Sequence, residues 1–181
     1  MVIAGAVDRT IDEPNQQRRT VVQSGFRVHE AYSPTTLLND IAILRMPTPF
    51  TFNSFVGSID LATGNDLFQG QIATASGFGR TSDTSAQTSP QVRRVDLIVM
   101  SNSECMNVFN FITESSICTA TLGGRSPCNG DTGGPLFITN AGNRQQIGIF
   151  SFSSTTGCQA NIPAGFTRVS SFATWIGQNI Q

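Results

Sequence analysis

Apolar residues in this chain come in short runs, and each run is closed by a cluster of turn-forming residues. Residues 20–29 are Val-rich with partial alternation, and Asp40-Ile41-Ala42-Ile43-Leu44-Arg45 is a compact apolar stretch. Gln71-Ile72-Ala73-Thr74-Ala75-Ser76 follows, then residues 92–100, which put Val95, Leu97 and Val99 on one face. Residues 136–139 and 147–152 complete the set. Residues 12–15, 81–90, 123–127 and 140–143 are the turn-type clusters between them. Short strands punctuated in this way predict an all-β barrel or sandwich. Thirteen Phe suit pleated, half-buried strands. Two segments read as helices. Residues 101–111 open with Ser-Asn-Ser and reach Glu104 three positions after Ser101, a capping-box pattern. Residues 170–180 carry Phe172, Trp175 and Ile176 at helical spacing.

A chain of 181 residues is long enough to bury a sizeable core. Only 13% of it is charged, and its formal charge is −1, which excludes a highly charged disordered segment. There is no basic patch for a phosphate backbone and no acidic tail, so no nucleic-acid partner is expected. All eleven cationic residues are Arg. No apolar run approaches the roughly 18 residues of a membrane span. Residues 1–7 make a poor signal peptide, because no positive region precedes the apolar one and Asp8 follows at once. Cys105, Cys118, Cys128 and Cys158 allow three pairings, which spacing alone does not separate. An even count in a polar, loop-rich chain favours disulfides and an oxidising compartment. No Cys-x-x-Cys occurs and the single His, His29, is distant in sequence, so no metal site is expected.

The stretch Cys128-Asn129-Gly130-Asp131-Thr132-Gly133-Gly134-Pro135 concentrates the chemistry. Gly at 130, 133 and 134 allows backbone angles and close approaches that a Cβ would block. A hydroxyl followed by two glycines, with an acid before it, suits a loop that offers both a nucleophile and backbone N–H donors to a developing oxyanion.

This loop resembles the Gly-Asp-Ser-Gly-Gly-Pro nucleophile loop of the trypsin/chymotrypsin-like serine proteases, with Thr132 where Ser attacks. Other segments resemble that family in order. Asn39-Asp40-Ile41-Ala42-Ile43-Leu44 is similar to the strand whose Asp orients the catalytic imidazole. Gly77-Phe78-Gly79-Arg80 resembles the turn entering the second barrel. Ser151-Phe152-Ser153 resembles the strand that pairs with substrate backbone, and residues 163–169 the strand before the terminal helix. The resemblance implies an all-β, chymotrypsin-like double barrel with the first barrel incomplete, plus a C-terminal helix. Residues 1–49 are expected to be a remnant of the first barrel, 50–66 a connector, and 67–181 the second barrel and helix. It also implies the pairings Cys105–Cys118 and Cys128–Cys158.

By the same resemblance Asp40 and Thr132 take catalytic positions, and the N–H groups of Gly130 and Thr132 form the oxyanion hole. Asp131 is the carboxylate that pairs with an α-amino group made by activation cleavage. Without that partner it is expected to turn outward or bind elsewhere, leaving the oxyanion hole poorly formed. Ser126, Asn129, Ser151, Phe152, Ser153 and Ala164 line the substrate pocket. The neutral Ser126 at its base, with Ser153 and Ala164 on its walls, predicts a preference for apolar residues of moderate size. The family's catalytic His falls ahead of residue 1 in this frame, and His29 lies on a strand at the outside of the first barrel. The expectation is therefore a secreted serine endopeptidase family member, inactive as these 181 residues stand. A non-catalytic homologue that binds a peptide or a protease partner is the alternative. No cofactor is expected, and a complete form is expected to be monomeric.

Overall fold

The structure is a computed structural model that describes residues 1–180. Strand β1 (Val2–Ala4) pairs antiparallel with β2 (Gln17–Arg19), and β3 (Phe26–Val28) with β4 (Ala42–Leu44), as two separate two-stranded sheets. Next come β5 (Asp60–Leu61), β6 (Ile72–Gly77), β7 (Arg93–Met100), helix α1 (Asn102–Met106) and β8 (Ser116–Ala120). Strands β9 (Pro135–Asn140), β10 (Asn143–Phe152) and β11 (Ala164–Arg168) precede the terminal helix α2 (Ala173–Asn179). The pairing order β11-β8-β7-β6-β9-β10, with β10 returning onto β11, closes a six-stranded barrel. β5 runs parallel to β10 on its outside.

Period-two alternation builds the barrel core. Ala73 and Ala75, Leu97 and Val99, Leu136 and Ile138 all point inward, joined by Ile117, Ile147 and Phe166. Each such buried aliphatic or aromatic side chain stabilises the fold by about 1.5–3 kcal/mol. Strand β10 bulges between Gln146 and Gly148 and again between Phe150 and Phe152. A Cβ on Gly148 would stand 3.1–3.2 Å from Phe166, Ile117 and Leu136, so only Gly passes through this closely packed part of the barrel.

Strands β8 and β11 were hidden in the sequence because their polar residues find partners inside the fold. All of β11 is buried. Thr167 donates its hydroxyl to the Asp40 carbonyl at 2.7 Å, and the Arg168 guanidinium donates to the carbonyls of Glu114 and Ser116, each at 3.0 Å. The run over residues 20–29 yields only β3. Gln23–Gly25 forms a 3₁₀ turn first, closed by Gly25 N–H donating to Val22 O.

The helix expected over residues 101–111 stops at Met106. Its capping box is present: Glu104 N–H donates to Ser101 Oγ at 3.2 Å, and Ser101 N–H donates to the Glu104 carboxylate at 3.0 Å. Beyond it, tertiary packing overrides helix propensity. Cys105 is tied to Cys118, and Phe109 and Phe111 turn to pack on Phe152, with centroids 5.2 and 4.8 Å away. The second disulfide joins Cys128 and Cys158. Among the described residues no helix is long and apolar enough to cross a membrane.

Helix α2 contains Gly177, around which nothing lies within 4 Å of an added Cβ. Gly177→Ala is therefore expected to stabilise the chain by about 0.5–1 kcal/mol, because Gly loses more backbone freedom than Ala in a helix. A raised urea midpoint with an unchanged slope is the measurement that checks it.

Candidate active site

Asp40 leads into β4. Asn39 before it adopts a left-handed conformation, φ 56°, one of the few non-Gly residues that does so readily. The kink delivers Asp40 to the barrel. Its carboxylate accepts the Ser151 hydroxyl at 2.6 Å, and its carbonyl accepts the Thr167 hydroxyl. Residues 111 apart in sequence thus share one hydrogen bond, and β10 is joined to the front of the chain.

The loop over residues 128–135 is pinned at both ends. Gly133 N–H donates to Phe150 O and Phe150 N–H to Gly134 O, each at 2.8 Å. Asp131 N–H returns to Cys128 O at 2.9 Å, and Gly134 N–H to Asp131 O at 2.7 Å. Gly130 and Thr132 N–H groups, by contrast, bond to no other group among the described residues. Thr132 is exposed. The loop therefore presents a hydroxyl and two unengaged donors on one surface, which suits capture of a carbonyl whose oxygen gains charge.

Asp131 does not turn to solvent. Its carboxylate accepts Gly79 N–H at 2.7 Å and Cys128 N–H at 3.0 Å. The Gly77-Phe78-Gly79 turn is wrapped on it so closely that a Cβ on Gly77 would fall 2.0 Å from one carboxylate oxygen, and one on Gly79 2.3 Å from the other. Arg80 N–H donates to Asn129 O at 2.9 Å, completing the tie between turn and loop.

An acid held by a serine, a hydroxyl loop with free N–H donors and a closed six-stranded barrel are now in one place, and a family model described as Trypsin matches residues 1–176. The chain belongs to the trypsin family. It is 38% identical over 175 residues to "Brachyurin" of Leptuca pugilator, covering 97% of this chain and 74% of that protein. It is 40% identical over 154 residues to "Serine protease 1" of Drosophila melanogaster, covering 83% of this chain and 56% of the relative. The solved structure of HL collagenase superposes with a TM-score of 0.78 at 34% identity, over 86% of this chain and 66% of that one. The chain thus spans little more than half of Serine protease 1. The fold is the family's chymotrypsin-like one.

Other trypsin-family pocket positions fall around the barrel rim. Ser126 donates its hydroxyl to Pro127 O at 2.9 Å. Ala164 is fully buried among the core residues. Phe152 lies flat over Gly165, where an added Cβ would meet its ring at 2.0 Å. Ser153 follows β10 and is half-buried. Asp40 and Thr132 line one hollow of about 670 Å³ with Phe26, Ile43, Ile149 and Ile176. His29 does not join them. Its ring packs on Trp175 and Phe172, at centroid distances of 5.0 and 5.5 Å, and its Nδ1 accepts Ala31 N–H at 3.2 Å.

Glu30 beside it accepts the Trp175 indole N–H at 3.0 Å. Its own backbone N–H first, then the indole and the nearby His29, hold its carboxyl below the ordinary glutamate value. A depressed folded value means this contact helps the fold above the unfolded pKa and is lost as pH falls through the folded one. Trp175 is the only tryptophan. Its fluorescence is expected to change in acid below the usual glutamate range, and Glu30→Gln to abolish that step.

Sequence reasoning passed over Asp83, which sits in a loop read only as a turn. Its carboxylate accepts Cys158 N–H at 2.7 Å and Gln159 N–H at 3.1 Å, while its own N–H donates to the Gln159 side chain at 2.9 Å. It clasps the disulfide loop beside the pocket. An Asp among Ser and Thr carries no local sign of a partner 75 positions away. Asp83, Cys128 and Cys158 are the one cluster of potential metal ligands among the described residues. Both sulfurs are spent in a disulfide, so one carboxylate remains, too little for a tetrahedral site.

Proposed function

We propose that these 181 residues are the substrate-binding portion of a serine endopeptidase domain of chymotrypsin- or elastase-like specificity, unable to cleave peptides by themselves. The observation that carries the reading is the placement of the single imidazole. His29 is committed to Trp175, Phe172 and Ala31, while Asp40 and Thr132 face each other across the hollow with no proton carrier between them. Attack by the Thr132 hydroxyl requires loss of its proton as the C–O bond forms, and the trypsin-family scheme gives that proton to His. Gly130 and Thr132 N–H groups remain able to hold a carbonyl oxygen. Ser126 supplies no charge to the pocket base, which favours an apolar side chain over Arg or Lys. Two disulfides support a secreted protein. Protein or peptide is the substrate class, in a monomer without cofactor.

A second reading is favoured by Thr132 itself. A non-catalytic homologue would keep the fold to bind peptides or protease partners, and the changed nucleophile sits inside the chain where no neighbouring segment can alter it.

A fluorophosphonate probe tests the first reading. Labelling no faster than that of Thr132→Ala is expected, and labelling near the rate of an active serine protease would overturn it. A labelled Phe-terminated peptide is expected to bind saturably and an Arg-terminated one weakly, as read by anisotropy. Grafting the His-bearing segment of brachyurin ahead of residue 1 separates the two readings: turnover that vanishes in Thr132→Ala excludes the binding-only protein.

A further inference from the structure

We propose that a cavity on the Asp131 side of the nucleophile loop is a binding site for a small oxyanion, held by Arg80, Arg93, Arg94 and Arg125. The cavity encloses about 350 Å³, inside the range of small-molecule sites. All four arginines line it. They come from three separate segments, so the sequence shows no basic cluster. β6 and β7 pair so that Arg93 and Arg94 stand opposite Gly77 and Ser76. Arg80 follows the same turn, and its N–H is fixed to Asn129 O. Arg125 arrives from the segment leading to Cys128.

The second observation concerns partners. The guanidinium groups elsewhere are occupied. Arg9 donates to Ser89 O and Thr88, Arg18 pairs with Asp12, and Arg19 donates to Thr48 O and Pro49 O. Arg27 donates to Ser24 O, Arg144 lies over the Phe137 ring, and Arg168 holds backbone carbonyls. Among the described residues, the guanidiniums of Arg80, Arg93, Arg94 and Arg125 have no hydrogen bond, ion pair or ring contact. The four without partners are the four around this cavity.

Asp131 does not neutralise them. It is the one acid in the lining, and both its oxygens already accept backbone N–H groups. Four positive charges against one leave a site complementary to an anion and hostile to an ammonium group. Guanidinium forks match the oxygens of phosphate, sulfate or carboxylate two at a time, where an ammonium makes a point contact. Three of the four side chains are exposed, so salt screens them and binding must be read at constant ionic strength.

The shared chemistry is an oxyanion, and two probes separate a tetrahedral ion from an organic polycarboxylate. Isothermal titration of the 181-residue chain with inorganic phosphate and with citrate is compared against sodium chloride at matched ionic strength. Saturable one-to-one binding of one probe is expected, with phosphate the tighter if the ligand is tetrahedral and citrate if it is a carboxylate. Removing a guanidinium that makes a charge-assisted contact is expected to weaken that binding about tenfold, in Arg93→Gln and again in Arg125→Gln. Arg27→Gln, on the distant β3, should leave it unchanged. These substitutions are at exposed positions, and an unaltered far-UV spectrum verifies the fold. No binding beyond chloride overturns the proposal. So does equal binding by Arg93→Gln, Arg125→Gln and Arg27→Gln, the mark of an adventitious ion only.

Discussion

Thr132→Ser is expected to leave the 181-residue chain without measurable peptidase activity. The substitution removes a methyl that restricts χ1 and crowds the approach to a carbonyl. Misplacement near 1 Å can cost about 10²-fold, so Ser is the better nucleophile in a complete site. The missing proton acceptor is the larger effect: loss of either the nucleophile or the His in a related mechanism lowers turnover by about 10⁶. These losses overlap, because a triad without its base has little left to lose. Hydrolysis of a Phe p-nitroanilide should therefore stay at background in the serine variant. In the graft that brings an imidazole to Asp40, the same Thr132→Ser change should raise kcat by about 10². An acyl-enzyme burst from the serine variant without the graft would refute the assignment of Asp40 and Thr132 to an incomplete site.

Gly79→Ala is expected to destabilise the fold by about 3 kcal/mol, roughly the contribution of one strong or two modest hydrogen bonds to a charged group. Its Cβ would stand 2.3 Å from one Asp131 oxygen and 2.4 Å from Cγ, and Asp131 is too short to swing aside while keeping both donors. The carboxylate must leave Gly79 N–H, Cys128 N–H or both. Gly57 is the control, since nothing lies within 4 Å of a Cβ there, and Gly57→Ala should be near neutral. Denaturation midpoints measure both. If the clash with Asp131 is the cause, Gly79→Ala combined with Asp131→Ala costs less than the two changes summed. Simple additivity would show that the turn is strained for another reason.

How much could be read in advance depended on whether a residue's partner was local. Val95, Leu97 and Val99 alternate against polar neighbours, so β7 and its inner face were plain. Ser101 and Glu104 cap each other across three positions, and the start of α1 was legible to the residue. The end of α1 was not, because Phe109 and Phe111 leave the helix to reach Phe152 from a different strand. β11 reads as mixed polar and apolar, yet it is wholly buried, because Thr167 and Arg168 spend their donors on carbonyls from residues 40, 114 and 116. Within the site, glycines announced the loop, since their spacing reflects backbone angles and close approach. Asp83 announced nothing, and the convergence of four arginines required the pairing of β6 with β7 to be known.

Closure gives the barrel no free edge, while the β1–β2 and β3–β4 ribbons each keep two. Unpaired N–H and C=O rows are where another chain can add a strand. Self-association of this protein should therefore begin at its first 44 residues, and amide exchange should fade there long before the barrel opens. A single charged or Pro substitution on the outer edge of β3 or β4 would then be the most economical way to keep the chain in solution.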